Sequence, residues 1–255
     1  MRIATWNVNG IRAADRKGMG DAIERVKPDV LLMQEVRATP DKIPVHWREP
    51  EDWHALWHPA ERPGYSGTGV LSRESIKDEG RGAGEADPEG RVVTVRVGPV
   101  RLSSIYMPSG SSGEHRQAEK DRWLGFFMEW SAKHARSRVP TILGGDFNIA
   151  HEARDLFYAK SNEKNSGFLP HERAWFGELL GQGWSDLIRE KYGEVDGPYS
   201  WWSNRGQARA LDRGWRIDYV LANKAAAKLV EDCHVDRQSG LDVSDHAMVC
   251  ADLRV

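Results

Sequence analysis

Arg91-Val-Val-Thr-Val-Arg-Val97 and Val100-Arg-Leu-Ser-Ser-Ile-Tyr106 stand on either side of Gly98-Pro99. Two strand-like runs joined by so short a turn pair antiparallel, because a parallel pair needs a crossover of about a dozen residues or more. Similar runs recur at Arg2–Val8, Val30–Met33, Trp53–Trp57, Thr68–Ser72, Val139–Leu143, Tyr199–Trp202, Ile217–Leu221 and Ala247–Leu253. Helical patterns are found at Gly20–Val26, Glu114–Ala135 and Pro170–Leu180. Many strands, several adjacent in sequence, exclude a purely alternating parallel fold and predict an α/β sandwich with much antiparallel pairing. The glycine-rich stretch Glu79–Gly90 reads as an exposed loop, after which the strand pattern resumes at once. No repeat or low-complexity linker divides the chain, so one domain over residues 1–255 is expected.

Hydrophobic residues make up 40% and charged residues 29% of the 255, the balance of a soluble globular protein. A chain of this length buries a large core unaided. Its two cysteines, Cys233 and Cys250, are therefore expected to be reduced and not a scaffold. The longest apolar run, Ala247–Ala251, is far short of the about 20 residues that span a membrane. No apolar leader follows Met1, so a cytoplasmic protein with no membrane partner is expected. Thirty-six basic against 38 acidic side chains leave a net charge of −2, and any polyanion must be held by a local patch. The 11 tryptophans offer flat apolar surface suited to cores and to stacking on bases or sugars.

Polar residues gather where the apolar runs stop or start: Asn7, Glu35, Asp146, Asn148, Asp218, Asp245 and His246. Any one of them is well explained as a strand cap or turn former. The whole set on one sheet rim would instead bring acids, amides and an imidazole into one cleft. Such a group suits Mg²⁺, which takes hard oxygen ligands and completes its shell with water and substrate phosphate. Zinc is a poor match: His54 and His58 lie in an extended segment with no cysteine nearby. Gly64-Tyr-Ser-Gly-Thr-Gly69 lacks the Gly-Lys-Ser/Thr ending of a phosphate loop and reads as a hairpin turn.

Six segments, in this order, carry a resemblance: Thr5-Trp-Asn-Val-Asn-Gly-Ile-Arg12, Leu32-Met-Gln-Glu35, Tyr106-Met-Pro108, Gly144-Gly-Asp-Phe-Asn148, Trp215-Arg-Ile-Asp-Tyr219 and Ser244-Asp-His246. The chain resembles the exonuclease III-type abasic-site endonucleases of the endonuclease/exonuclease/phosphatase superfamily. That resemblance implies a deoxyribonuclease I-like, four-layered sandwich: two mixed, mainly antiparallel sheets face to face with helices outside. It implies a DNA-repair nuclease that hydrolyses the phosphodiester 5′ to an abasic site and trims 3′ ends. The implied substrate is double-stranded DNA with abasic sites or blocked 3′ ends, and the implied enzyme a monomer using Mg²⁺, for which Mn²⁺ can substitute.

By the same resemblance, Glu35 is the main metal ligand with Asn7 and Asp245 in or near its shell. Asp146 orients and deprotonates water, Asn148 donates an amide hydrogen bond, and Tyr106 donates to the phosphate or leaving oxygen. His246, paired with Asp218, is a cation against the phosphate; either Asp146 or His246 is the formal base. Asn162-Glu-Lys-Asn-Ser-Gly-Phe168 is similar to a phosphate-holding loop, with Asn162 and Asn165 as contacts, and Trp201, Trp215 and Ile217 form the abasic pocket. Phosphate candidates are the run Arg205, Arg209, Arg213 and Arg216, opposed by Asp212 alone, then Arg37, and third Arg12. Two departures stand out. Ser109 follows Tyr106-Met-Pro108 where many relatives have a longer amide, and Asn9 stands where some carry Asp. A superfamily phosphatase for another phosphodiester is opposed by the 162–168 loop and the tryptophan pocket. A non-catalytic nucleic-acid-binding regulator is opposed by the complete set Glu35, Asp146, Asn148, Asp218 and His246.

Overall fold

The computed structural model describes residues 1–255. In chain order its strands are β1 (Arg2–Asn7), β2 (Val30–Gln34), β3 (His54–His58), β4 (Thr68–Ser72), β5 (Ile76–Arg81), β6 (Val92–Val97), β7 (Val100–Tyr106), β8 (Thr141–Asp146), β9 (Trp184–Asp186), β10 (Asp218–Asn223), β11 (Val230–Asp236) and β12 (Met248–Leu253). They form two six-stranded sheets, ordered β11-β12-β1-β2-β4-β3 and β5-β6-β7-β8-β10-β9. Each has a single parallel pair at its centre, β1 with β2 and β7 with β8, flanked by antiparallel neighbours. The predicted hairpin is β6–β7, in register from Val97↔Val100 to Val92↔Ile105.

Alternation along each strand builds four layers. Ile3, Val30, Leu32 and Val70 of the first sheet interdigitate with Val93, Val95, Leu102, Ile142 and Val220 of the second. Their neighbours Ala4, Trp6, Leu31 and Met33 point the other way, under the helix Met19–Val26. On the far side Ile105, Leu143, Phe147 and Tyr219 are covered by Trp123, Leu124 and Phe127 of the helix Glu114–Ala135 and by Phe176 and Leu179 of the helix Pro170–Gly181. Strands buried on both faces read as continuous apolar runs, which explains why β2, with Val30-Leu-Leu-Met33, is easy to see in the sequence.

The expected strand at Tyr199–Trp202 belongs to neither sheet. It is irregular chain tied by single bridges, Trp201 to Trp215 and Trp201 to His246. The stretch Glu79–Gly90 begins inside β5 and is a loop only beyond it. Three strands have no counterpart in the sequence reading, β5, β9 and β11, and all three are sheet edges.

Candidate active site

Both parallel pairs end at the same rim of the sandwich, so Asn7 (β1), Gln34-Glu35 (β2), Tyr106 (β7) and Asp146 (β8) are delivered together. The antiparallel β10 starts there, with Asp218 directly opposite Asp146. Two glycines of β8 allow close approach: a Cβ on Gly144 would lie 2.8 Å from Leu32 Cδ1 of the facing sheet, and one on Gly145 would lie 1.9 Å from Ile105 O of the adjacent strand β7. Buried polar bridges then fix the rim. Gln34 Nε2 donates to Thr5 Oγ1 and to Ser104 Oγ, both at 2.9 Å. Asn7 Nδ2 donates to Asp146 Oδ2 at 2.9 Å. The His246 segment is anchored by Trp6 Nε1, which donates to His246 O at 2.9 Å, and by Ser244 Oγ, which donates to Asn7 O at 2.7 Å.

The sequence candidates line one cleft of about 650 Å³, except Asn7, Asp218 and the basic residues Arg12, Arg205, Arg209, Arg213 and Arg216. Asn7 and Asp218 lie directly behind its wall. Asn7 is fully buried and positions Asp146. Asp218 Oδ2 is 2.9 Å from His246 Nδ1 and also accepts 2.7 Å from Ser200 Oγ. Ser200 further accepts from the backbone N–H groups of Ile217 and Asp218, at 3.1 and 3.0 Å, so a buried hydroxyl holds the carboxylate that holds the imidazole. Sequence reasoning missed Ser200, although it sits inside the Tyr199-Ser-Trp-Trp202 segment. It also passed over Lys164, which lines the cleft within the 162–168 loop.

Electrostatics divide the rim residues. Burial pushes the Asp146 carboxyl well above the usual range, with Asp218 adding to it and His246 opposing. Burial works against a charged His246, but Asp218, and after it Asp146, outweigh this and carry its pKa up to about 10. Its other nitrogen, Nε2, lies 3.9 Å from Asp146 Oδ2. Asp245 moves the opposite way: burial raises it, and His246, Asn9 and Trp201 together bring it below the usual range. Burial, then Glu35, drives the Tyr106 phenol far up, so it keeps its proton and donates to Glu35 Oε1.

Asn9, Glu35, Arg37 and Asn148 hold left-handed backbone at φ of 47°, 51°, 51° and 49°, and all four line the cleft. Such conformations cost of order 1 kcal/mol or more for non-glycine residues and are retained where surrounding bonds enforce them. Gly10 N donates to Glu35 O at 2.8 Å and Val36 N to Gly67 O at 3.0 Å; Asn148 N donates to Asp146 Oδ1 at 2.8 Å, and its amide to Met107 O at 2.9 Å.

The residues present fit a hard divalent cation. Glu35, Asn9 and Asp245 offer oxygen atoms at the cleft wall with no thiol or thioether among them. Asn9 Nδ2 donates 2.8 Å to Asp245 Oδ1, leaving its own Oδ1 without a protein donor; an aspartate there would oppose two carboxylates. Asp146, Asp218 and His246 also place ligand atoms within 4.8 Å of one another. Those three are buried, however, and the two acids already share the cationic His246, whereas Glu35 and Asp245 are partly exposed on the cleft wall and touch only hydrogen-bond donors that can turn aside, so the Glu35 side is the better cation site.

The other end of the cleft is apolar. Trp201 and Trp215 meet edge to face at 80°, centroids 6.2 Å apart, as a corner and not as facing plates. Ile217 packs behind them with Leu156 and Phe168. Gly167 forms the floor at φ 92°, where a Cβ would come 3.3 Å from Trp215 Cζ3. Asn162 and Asn165 brace each other at 2.8 Å on the outer lip. Of the basic run, Arg216 is a correction: it is buried and bonded to Asp155 and Asp186, facing away from the cleft that its neighbours Trp215 and Ile217 line.

Residues 4–246 match the Endonuclease/Exonuclease/phosphatase family. An exodeoxyribonuclease of Bacillus subtilis (strain 168) is 34% identical, the match covering 98% of each chain. A DNA-(apurinic or apyrimidinic site) endonuclease of Dictyostelium discoideum is 31% identical over 98% of this chain and 69% of its own. Among solved structures, the 3′ phosphatase NExo from Neisseria, bound to a product DNA hairpin, superposes with a TM-score of 0.90 at 28% identity over the whole of both chains. The chain belongs to the endonuclease/exonuclease/phosphatase family. Within it, the likeness is to the exodeoxyribonuclease and abasic-site endonuclease branch, and the activity is that of a hydrolytic nuclease of DNA repair. No helix is long and apolar enough to cross a membrane.

Proposed function

We propose that the chain is a Mg²⁺-dependent nuclease that hydrolyses the phosphodiester 5′ to an abasic site in double-stranded DNA and trims blocked 3′ ends, acting as a monomer. The observation that carries this reading is the two-ended cleft. An acid–imidazole pair lies at one end and a tryptophan corner at the other, joined where the Trp201 ring stands 6.4 Å from that of His246. A scissile phosphate at the polar end puts the neighbouring sugar against Trp201, Trp215 and Ile217, and a base on that sugar would collide with the closed corner.

Asp146, whose raised pKa lies near working pH, orients the attacking water and takes its proton, steadied by Asn7 and Asn148. His246, charged and backed by Asp218, faces the phosphoryl oxygens; Tyr106, kept as a phenol, donates a hydrogen bond to the phosphate or the departing oxygen. Arg37, 2.5 Å from Glu35, and Asn162, Asn165 and Ser109 on the lip hold flanking phosphates. Glu35 and Asp245 would hold the divalent cation, with Asn7 acting from behind the wall. When bound, that ion neutralises charge on the phosphoryl group and supports the leaving 3′ oxygen. Mn²⁺, with the same preference for oxygen, substitutes. The test is an end-labelled duplex with one abasic site. Incision 5′ to the lesion that requires Mg²⁺ and stops with EDTA is expected, and a duplex left intact in Mg²⁺ overturns the reading.

A further inference from the structure

Phe157 and Tyr158 are 47% and 50% exposed, side by side, with ring centroids 4.8 Å apart and planes at 88°. The guanidinium of Arg213 lies 5.8 Å from one ring centroid and 5.7 Å from the other, and Arg213 has no carboxylate partner anywhere in the fold. Single exposed apolar residues are ordinary, but an adjacent aromatic pair under an unpaired cation is a surface that something else covers. The pair is fixed to the cleft. Leu156 bridges to Trp215, Phe157 N donates 3.0 Å to Gly214 O, and Tyr158 O accepts 2.8 Å from the Asn162 amide on the cleft lip.

We propose that Phe157, Tyr158 and Arg213 form a platform for an unpaired nucleotide flanking the reacting phosphate, the base stacking on the rings while Arg213 meets its phosphate. The inference rests on the nuclease reading above. Charge favours a nucleic-acid occupant: the segment 157–164 that carries the pair and the segment 205–213 that carries Arg213 hold exposed or half-exposed Lys160, Lys164, Arg205, Arg209 and Arg213 against two acids, Glu163 and Asp212, and Asp212 is engaged by Arg237 and Trp202. Stacking needs no sequence match, because every base has a π-face, and suits gapped, frayed or single-stranded flanks more than paired ones.

The double variant Phe157→Ala/Tyr158→Ala is compared with wild type on a fully paired abasic duplex and on the same lesion with unpaired flanks, alongside binding of fluorescent oligothymidine. Unchanged thermal melting establishes folding. The expected result is about ten-fold weaker oligothymidine binding, a matching loss on the unpaired-flank substrate, and incision of the paired duplex within about two-fold of wild type. Phe157→Trp should retain the preference, and Arg213→Met should flatten the salt dependence of oligothymidine binding by about one unit of slope. Equal losses on both substrates, or none on either, overturn the platform and leave the nuclease standing. So does a wild type that self-associates through this patch while the variant binds oligothymidine normally. A wild type that incises neither substrate brings down the nuclease reading and the platform with it.

Discussion

Asp245 and Asp146 flank the same histidine, one beside the first sheet and one at the end of the second, and their carboxyls are displaced in opposite directions. The strand plan is the same in both sheets, a central parallel pair with antiparallel flanks, so topology does not separate them. Surroundings do. Asp245 accepts from Asn9 and Trp201 and keeps its charge. Asp146 is 1% exposed, stands opposite another buried acid, and is pushed towards its neutral form. Two carboxyls set apart in this way take different duties: the first-sheet rim is suited to holding a cation and the second to moving a proton.

The largest effects follow from the proton-handling side. Asp146→Asn keeps the shape but loses the base and turns one of the two oxygens that accept from Asn7 and Asn148 into a donor, and His246→Ala loses the cation. Each should lower the single-turnover rate by at least about 100-fold with little change in fold. Because burial holds Asp146 above the usual carboxylate range, the wild-type rate should climb with pH through that raised value; a limb left at an ordinary carboxylate pKa would place the base elsewhere. Near-wild-type cleavage by either variant would dissolve the division of labour.

Next in size is the cation side. Glu35→Gln should raise the Mg²⁺ concentration for half-maximal cleavage by about ten-fold or more, while Asp146→Asn leaves Mg²⁺-dependent tryptophan quenching close to wild type. The reverse pattern would move the ion to the Asp146–Asp218–His246 cluster.

A smaller effect belongs to the tryptophan corner. Trp215→Ala should narrow the ratio of kcat/KM on abasic over intact duplex by several-fold, on the order of 1 kcal/mol of lost discrimination. Binding of undamaged duplex, carried by phosphate contacts, should change far less. An unchanged ratio with a sharply lowered Tm would make Trp215 a packing residue only.

The sequence was most legible where strands are buried on both faces, and least at the edges. β4 and β7 carry small, apolar or aromatic side chains with Arg101 the one charge among them, and match their expected bounds. β5, as Ile76-Lys-Asp-Glu-Gly-Arg81, and β11, as Val230-Glu-Asp-Cys-His-Val-Asp236, carry the charges that keep edge strands from pairing with other chains, and so lack the hydrophobic signal. The aromatic Tyr199–Trp202 segment misled in the other direction, since its apolar side chains serve a cleft and a satellite core instead of a sheet. Rim residues were visible because each ends or begins an apolar run. Ser200 was not, since nothing local marks a hydroxyl as the partner of a distant carboxylate. Arg216 was recoverable: with Trp215 and Ile217 on the cleft, a period-two reading sends the residue between them to the opposite face.

The smallest effect on activity is expected in the body of the first sheet, away from its rim. Cys233 and Cys250 lie on neighbouring strands, paired as Cys233↔Ala251 and His234↔Cys250, so they are close in space. Yet Cys233 packs between the sheets and Cys250 beneath the outer helices, and side chains on opposite faces cannot form a disulfide. Burial pushes the Cys233 thiol up to about 11 and Cys250 higher still, which removes the reactive thiolate at neutral pH. The two should differ in stability alone. Cys233 Sγ donates 3.1 Å to Leu187 O, a bond that a serine hydroxyl can keep. Cys250 has no such partner and is wholly buried among apolar groups. Cys233→Ser should therefore be nearly neutral and Cys250→Ser should cost about 1–3 kcal/mol, the desolvation penalty of an unpaired hydroxyl, with kcat/KM on abasic duplex unchanged in both. Urea melts beside single-turnover cleavage separate the two quantities. A drop in cleavage by a fully folded Cys250→Ser protein would show that function reaches from the rim into the body of the sheet.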